Sequence, residues 1–512
     1  MTNRIHRLCS SERAADRLSD RLSGRRKRAV LLSLLIACAL LSGCSAFPGA
    51  LDEGEADIHV TLPVAEIETG GAPVGDETAS SLVRAPIYYP GAQENQYVSV
   101  LRTFRLNANA LTEEKRAEEL LKTPYGTEAA PAAPEGTRLA GVEISGGVAT
   151  AKFLIGADFE TEEKKAVFAA CAAQTLLDSP EIRAVNVLVN GRAMEYKGVP
   201  LGALGGETAN LGEWLERLES ESETRSIVFY CPAKYGEYLI PEIRTARVSG
   251  ADAAQSLLDG LYVRPASDAL FAGLTSEYAL SKPCEIGFSA GGARVLDLFF
   301  TMEAYQTMTE SGDCEWKRLA SVALTFTAFY PDIDGVRVHF GDYVVTDTED
   351  WNGNTLRFRD GVITREDFSG RVGALVKLYF ADADGRLSPE ERAVSRSDAH
   401  SLRARVALLM EGPRSAELRK TFPEGVDGVD ILGTALESGV AKIHFSAGFY
   451  GKCQSLEPEK EALLVYSMVN TLALDADIQA VRVYIAGESA RTLAGTCSLM
   501  GPILPNPGLN VR

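Results

Sequence analysis

The chain has 512 residues, with 70 Asp+Glu against 52 Lys+Arg and a formal charge of −18. A surface this acidic is a poor partner, through its net field, for nucleic acid or anionic lipid headgroups. The length suffices for about three ordinary domains.

The N-terminus reads as an export signal. "RRKR" at 25–28 precedes the apolar run "AVLLSLLIACALL" at 29–41, followed by "SGC" and the polar "SAFPGA". A basic region, a short apolar stretch and small residues before a break describe a segment that is removed rather than folded. Leu41-Ser42-Gly43-Cys44 resembles the lipobox of bacterial lipoproteins, which makes Cys44 the expected lipid attachment site and residues 1–43 the signal peptide. Leu35-Ile36-Ala37-Cys38 fits the same pattern but leaves too short an apolar region. The alternatives are a transmembrane anchor or an internal helix, and the run falls short of the ~20 residues a span needs. Residues 44–83 follow as an acidic tether, with eight acidic residues and no Lys or Arg over 45–83.

Past the tether, one pattern recurs three times. It opens on an aromatic strand and turn: "IYYPGAQENQYVSV" at 87–100, "VFYCPAKYGEYLIPE" at 228–242 and "LYFADADGRLSPEE" at 378–391. A helix follows ("TEEKRAEELLK", "DAAQSLLDGL", "HSLRARVALLMEGP"), then a hairpin ("ISGGVATAKF", "SAGGARVLDLFF", "LESGVAKIHF"). A second helix and an alternating strand complete the unit. Ala166, Ala169, Ala173 and Leu176 match Ala462, Val465, Val469 and Leu472 at the 3-4-3 spacing of one helical face. In the middle unit Ala320 and Leu324 keep that stripe and Thr327 breaks it. The final strands, "IRAVNVLVNG", "IDGVRVHFGD" and "IQAVRVYIAG", alternate as half-buried strands do.

This element order is similar to the GerMN domain of exported lipoproteins linked to sporulation and spore germination. The first and third units carry the resemblance best, including Gln174-Thr175 and Asn470-Thr471. The middle unit is a degenerate copy, with Thr325-Phe326 in place of the amide-Thr pair. The resemblance implies an α+β fold of three tandem small modules, each a mainly antiparallel sheet with two helices on one face, used for binding rather than catalysis. The expected boundaries are 84–197 for module 1, 198–224 for a linker, 225–370 for module 2, 371–495 for module 3 and 496–512 for a tail. Gln174, Thr175, Asn470 and Thr471 are candidate binding residues, although such residues often satisfy backbone groups at helix ends.

Several motifs read otherwise in isolation. "ADADGRLSPEE" places Asp382, Asp384, Gly385 and Glu391 at EF-hand positions 3, 5, 6 and 12, but Phe380 stands at position 1. Its counterparts in the other units lack the acids, which favours a hairpin turn. "TDTEDWNGN" at 346–354 reads as a hairpin extension, with cation binding as the alternative. Gly287-Phe288-Ser289-Ala290-Gly291 spells GxSxG, yet a strand-like run follows where a nucleophile elbow needs a helix. His59, His339, His400 and His444 show no metal-ligand spacing. Trp214 and Trp351 are candidate exposed aromatics or packed side chains. The cysteines beyond Cys44 form no CxxC pair, with Cys284–Cys314 and Cys453–Cys497 as conceivable disulfides in an exported chain. No metal or cofactor is expected. The expected protein is a non-catalytic lipoprotein on the extracytoplasmic face of the cytoplasmic membrane, binding an envelope protein complex or peptidoglycan. The alternatives are a peptidoglycan-acting enzyme and a solute-binding lipoprotein.

Overall fold

Two runs that alternate apolar residues, β1 (Ser80–Pro90) and β2 (Tyr97–Asn107), fold back on each other as an antiparallel hairpin that opens the described part of the molecule. The computed structural model describes residues 80–511, apart from 93–94, 108–110, 146, 220–223, 249–252, 311–314, 331 and 476. The export signal, Cys44, the tether as far as residue 79, His59 and Cys314 lie outside the described residues, while residues 80–83, expected as the end of the tether, belong to β1.

The hairpin is followed by α1 (Thr112–Leu120), the strands β3 (Arg138–Ser145) and β4 (Val148–Leu154), α2 (Glu162–Leu177) and β5 (Ala184–Val189). β3 and β4 are antiparallel, whereas β4 and β5 run parallel, because α2 carries the chain back across the sheet between them. Thr161 caps α2 by accepting from Lys164 N at 3.1 Å. Phe168, Ala169, Ala170, Cys171, Ala172 and Ala173 are all buried, so α2 is enclosed on more than one side. It packs on β5 and on β1, and thereby joins the hairpin to the sheet. Its many alanines allow that close double packing.

The same order recurs. Short strands β6 (Arg192–Ala193), β7 (Glu195–Tyr196) and β8 (Val199–Pro200) and helix α3 (Leu211–Glu219) lead to module 2. There β9 (Thr224–Pro232) and β10 (Leu239–Arg247) form the hairpin, followed by α4 (Ala253–Tyr262), β11 (Glu285–Phe288) and β12 (Arg294–Phe300). A helix α5 (Met302–Glu310), not found in module 1, precedes α6 (Glu315–Phe329), and β13 (Gly335–Phe340) pairs parallel with β12. Four short strands follow: β14 (Tyr343–Val344), β15 (Asp347–Glu349), β16 (Thr355–Arg357) and β17 (Ile363–Thr364). Module 3 has the hairpin β18 (Ala374–Ala381) and β19 (Leu387–Val394), then α7 (Arg396–His400), α8 (Leu402–Glu411), β20 (Ile431–Glu437) and β21 (Val440–Phe445). It ends with α9 (Ala447–Cys453), α10 (Pro458–Leu472) and β22 (Ala480–Ile485), with β21 and β22 parallel. The fold is α+β, and its middle third repeats the elements of both flanks.

Each module is also closed by a trailing strap that alternation in the sequence does not reveal. After the last strand the chain crosses back and bridges it: Leu204 to Val185, Ile363 to Val336 and Ile503 to Val481. The strap then reaches the free edge of the second hairpin strand. Gly373 N donates to Leu239 O at 3.0 Å, and Val511 N donates to the equivalent Leu387 O at 2.9 Å. In module 1, Tyr97 holds the strap through its hydroxyl, which donates to Thr208 O at 2.8 Å. The segments 198–224 and 496–512, expected as linker and tail, thus contribute folded parts. A loop of the third strap is fixed by the fully buried Glu461, whose carboxylate accepts from Leu493 N, Ala494 N and Thr496 N.

Module 1 adds Val148, Ala184 and Ala203 to the apolar core of module 2. Module 3 meets the others through Ala393 and Leu375, which pack against the core of module 2, and through polar contacts centred on Gly373. Gly373, at the head of β18, donates to Leu239 of module 2, and its carbonyl accepts from Ser145 Oγ of module 1. Arg396 pairs with Glu143 nearby.

Candidate functional site: repeated polar anchors and a cleft between modules

Most polar residues at equivalent positions serve the fold. Thr175 on α2 accepts from Tyr88 N at 3.1 Å, and Thr471 on α10 accepts from Tyr379 N at 3.0 Å. In module 2 the equivalent residue is Thr325, which accepts from Tyr230 N at 3.1 Å. The threonine is therefore retained in all three copies, and the alignment of the middle helix moves by one residue. Leu324 stands where Gln174 and Asn470 do. The buried stripe becomes Trp316, Leu319, Ala323 and Phe326, with no break at Thr327. Thr327 bonds back to Ala323 O within the helix at 2.6 Å.

The amides hold the straps. Gln174 Nε2 donates to Thr208 Oγ1 at 2.7 Å. Asn470 donates to Asn506 O at 2.9 Å and to Asn510 Oδ1 at 2.7 Å, and accepts from Asn506 N at 2.8 Å. Where module 2 lacks the amide, Arg365 on the strap reaches Leu324 O at 3.3 Å and Tyr230 Oη at 2.6 Å. Gln174, Thr175, Asn470 and Thr471 thus lie at joints inside modules 1 and 3.

A third repeated anchor is missing from the sequence-level expectations. Arg102, Arg244 and Arg392 occupy the same register position, opposite Ala85, Ile227 and Val376. Each donates to carbonyls at the C-terminal end of the module's first helix: Thr123 O at 2.6 Å, Gly260 O, and Gly412 O together with Leu408 O at 3.3 Å. A cation there satisfies orphan carbonyls and opposes the negative end of the helix dipole. The sequence signal was "PEIR" at 241–244 against "PEER" at 389–392, which module 1 replaces with "SVLR". Glu242 and Glu390 pair with their arginines at 2.8 Å and 2.7 Å.

The remaining motifs settle into local structure. Residues 382–386 turn β18 into β19, with Asp382 accepting from Asp384 N and Arg386 N at 2.9 Å, and Glu391 sits opposite Lys377 in the ladder. Asp350 accepts from Asn352 N and Asn354 N at 2.8 Å in the hairpin of β15 and β16. Ser289 lies in the β11–β12 turn and accepts from Ala293 N at 3.1 Å. His339 pairs with Asp297 at 2.7 Å, and His444 stacks on Tyr484. Trp214 is buried, and Trp351 packs against Trp316 with Arg371 over its ring. Cys453 and Cys497 are both free thiols, as is Cys284.

What all three modules build jointly is a cleft of about 900 Å³. Its apolar lining includes Ile144, Ile240, Ile243 and Leu375, and its charged groups are Glu181, Arg183, Glu242, Lys377, Glu391, His400, Arg405 and Asp475. Burial pushes the Glu181 carboxyl above its ordinary range, and the nearby Asp475 and Glu113 push it further, against the pull of Arg405. Asp477 is raised by burial and by the same two carboxylates. His400, exposed at the cleft, is held below its usual range by partial desolvation and by Arg405. Arg405 donates to Asp475 at 3.3 Å and to Ala399 O at 2.7 Å. An apolar floor with charges of both signs around it suits a chain-like ligand held at several points.

Comparison with known proteins bears on modules 1 and 3 directly. The family model Germane, described as sporulation and spore germination, matches residues 86–195 and 377–491. Among solved structures, the tandem GerMN domains of the sporulation protein GerM from Bacillus subtilis are 17% identical, with a TM-score of 0.23. That match covers 56% of this chain and 99% of the other. The first GerMN domain of the same protein is 20% identical with a TM-score of 0.22, covering 26% and 97%. No curated protein matches the chain. One matched region falls in module 1 and the other in module 3, so the chain contains two stretches similar to the Germane domain, a family described as sporulation and spore germination.

Proposed function

We propose that this is a non-catalytic envelope lipoprotein of sporulation or germination, held through Cys44 on the extracytoplasmic face of the membrane, with its modules acting as a binding scaffold. The observation that carries the reading is the cleft lined by all three modules. A repeat that used its polar positions for catalysis would place reactive groups at equivalent sites. Here those positions hold straps and helix ends, and the composite cleft belongs to no single module. Its mixed charge and apolar floor favour an extended segment of a protein partner over an acidic wall polymer, which the net charge repels. No helix among the described residues is long and apolar enough to cross a membrane.

The test is a photo-crosslinking residue at Leu474, on the rim of the cleft, in sporulating cells. A protein adduct that disappears when Lys377→Glu is added supports the scaffold. Turnover of labelled peptidoglycan that is lost in Glu181→Gln would make the protein an enzyme and overturn the reading. Cys44→Ala is expected to move the protein from the membrane to the soluble fraction.

A further inference from the structure

Neighbouring modules engage part of the outer face of the hairpin in modules 2 and 3, although Thr224, Thr245 and Arg247 of module 2 stay exposed, and the face is open in the first. In module 2 the outward residue Val228 is buried, and β9 lies along module 1, with Ala203 N donating to Ser226 O at 2.8 Å. In module 3 the outward residues Leu375 and Lys377 face the cleft. In module 1 the equivalent face presents Leu82, Arg84, Leu101, Thr103 and Arg105, all exposed, with Leu82 70% and Leu101 50% accessible. The register sets Leu82 opposite Arg105 and Arg84 opposite Thr103, so leucines and arginines interleave on one ribbon. Neither strand contains an acidic residue, in a chain whose net charge is −18.

We infer that this ribbon face docks on an anionic bilayer surface. Exposed leucines flanked by arginines combine shallow apolar burial with attraction to lipid phosphates. The acidic remainder of the molecule does not prevent this, because screening at physiological salt limits charge interactions to about 8 Å. The ribbon is also the first described element after Cys44. Only residues 45–79 intervene, a reach of at most ~125 Å when fully extended. The inference takes its setting from the proposed lipid anchor at Cys44. A ribbon held at the membrane would fix module 1 against the bilayer and hold the cleft, to which all three modules contribute, at a constant height above it.

The test holds the chain, starting at Ser45, carrying an N-terminal histidine tag and with Cys284, Cys314 and Cys497 changed to Ser so that only buried thiols remain besides the labelled one, on nickel-chelating vesicles, so natural lipidation is not needed. An environment-sensitive dye at Thr103→Cys reports contact. The expected result is a blue-shifted emission on phosphatidylglycerol-containing vesicles and none on phosphatidylcholine. Arg84→Glu and Arg105→Glu should each weaken the docked population about fivefold, and Leu82→Ser with Leu101→Ser should abolish it. A dye at the remote Arg264→Cys should not respond. Identical emission on both lipids, or insensitivity to the arginine changes, overturns the inference. The residues changed in the ribbon are all exposed, so an unchanged melting temperature separates lost docking from lost folding. Failure of the Cys44→Ala fractionation would refute the anchor alone and leave this result standing.

Discussion

A single hydroxyl on the second helix decides where the hairpin sits. Thr471 supplies the acceptor for Tyr379 N, a strand donor that faces away from its hairpin partner. Thr471→Val preserves shape and removes the acceptor, which should cost about 1–2 kcal/mol as a lower midpoint in urea, and Thr471→Ser should recover most of it. The buried Arg392 carries more. Arg392→Met should destabilise by about 2–4 kcal/mol, because it leaves the end of α8 without donors and Glu390 without its cation. Arg392→Lys should rescue poorly, since an ammonium cannot reach Glu390, Leu408 O and Gly412 O together. The sequence revealed these residues unevenly. Gln174-Thr175 and Asn470-Thr471 stood out as repeated pairs, but Thr325 was read at the amide position because Ala320 and Leu324 fit the apolar stripe one residue out of register. Arg102 was hidden because only modules 2 and 3 keep the preceding Pro-Glu.

At the level of elements, hairpins, helices and final strands were legible from periodicity, since each buries one face or one stripe against the core. The parallel pairing of the last strand follows from the helix that precedes it. The straps were not legible. Each touches the sheet at one or two residues, too few to impose alternation, and the rest is held by side-chain amides and backbone groups distant in sequence. Their contribution is measurable. Ending the chain after residue 502 removes Ile503, the Asn506–Asn470 bonds and the Val511–Leu387 bridge. The expected loss is about 2–4 kcal/mol, with amide exchange in α10 accelerating while α2, in module 1, keeps its protection.

Across the whole molecule, carboxylates of modules 1 and 3 crowd one another: Glu113 and Glu181 face Asp475 and Asp477, with Arg405 and His400 between them. The raised Glu181 binds its proton more tightly in the folded chain than in the unfolded one. The cost of desolvating its charge, with the repulsion from Asp475 and Glu113, therefore weakens the fold above its folded pKa and is relieved as pH falls through it. Glu181→Gln should raise the melting temperature at pH 7.5, and the difference from the parent should shrink at pH 5. Gly373 is the other sensitive point. A methyl group there would lie 2.4 Å from Val394 O and 2.7 Å from Tyr238 Cβ. Gly373→Ala should lower stability by about 1–3 kcal/mol and reduce crosslinking from Leu474, because the cleft walls no longer meet.

Gly373 ends one module's strap, begins the next module's hairpin and accepts from Ser145 of the first module. If the proposed anchor and a bound partner pull on the chain, much of the load between module 3 and its neighbours would pass through this peptide unit. Such a linkage has little freedom to yield gradually, so pulling should give a single abrupt rupture of the junction, followed by separate unravelling of its parts.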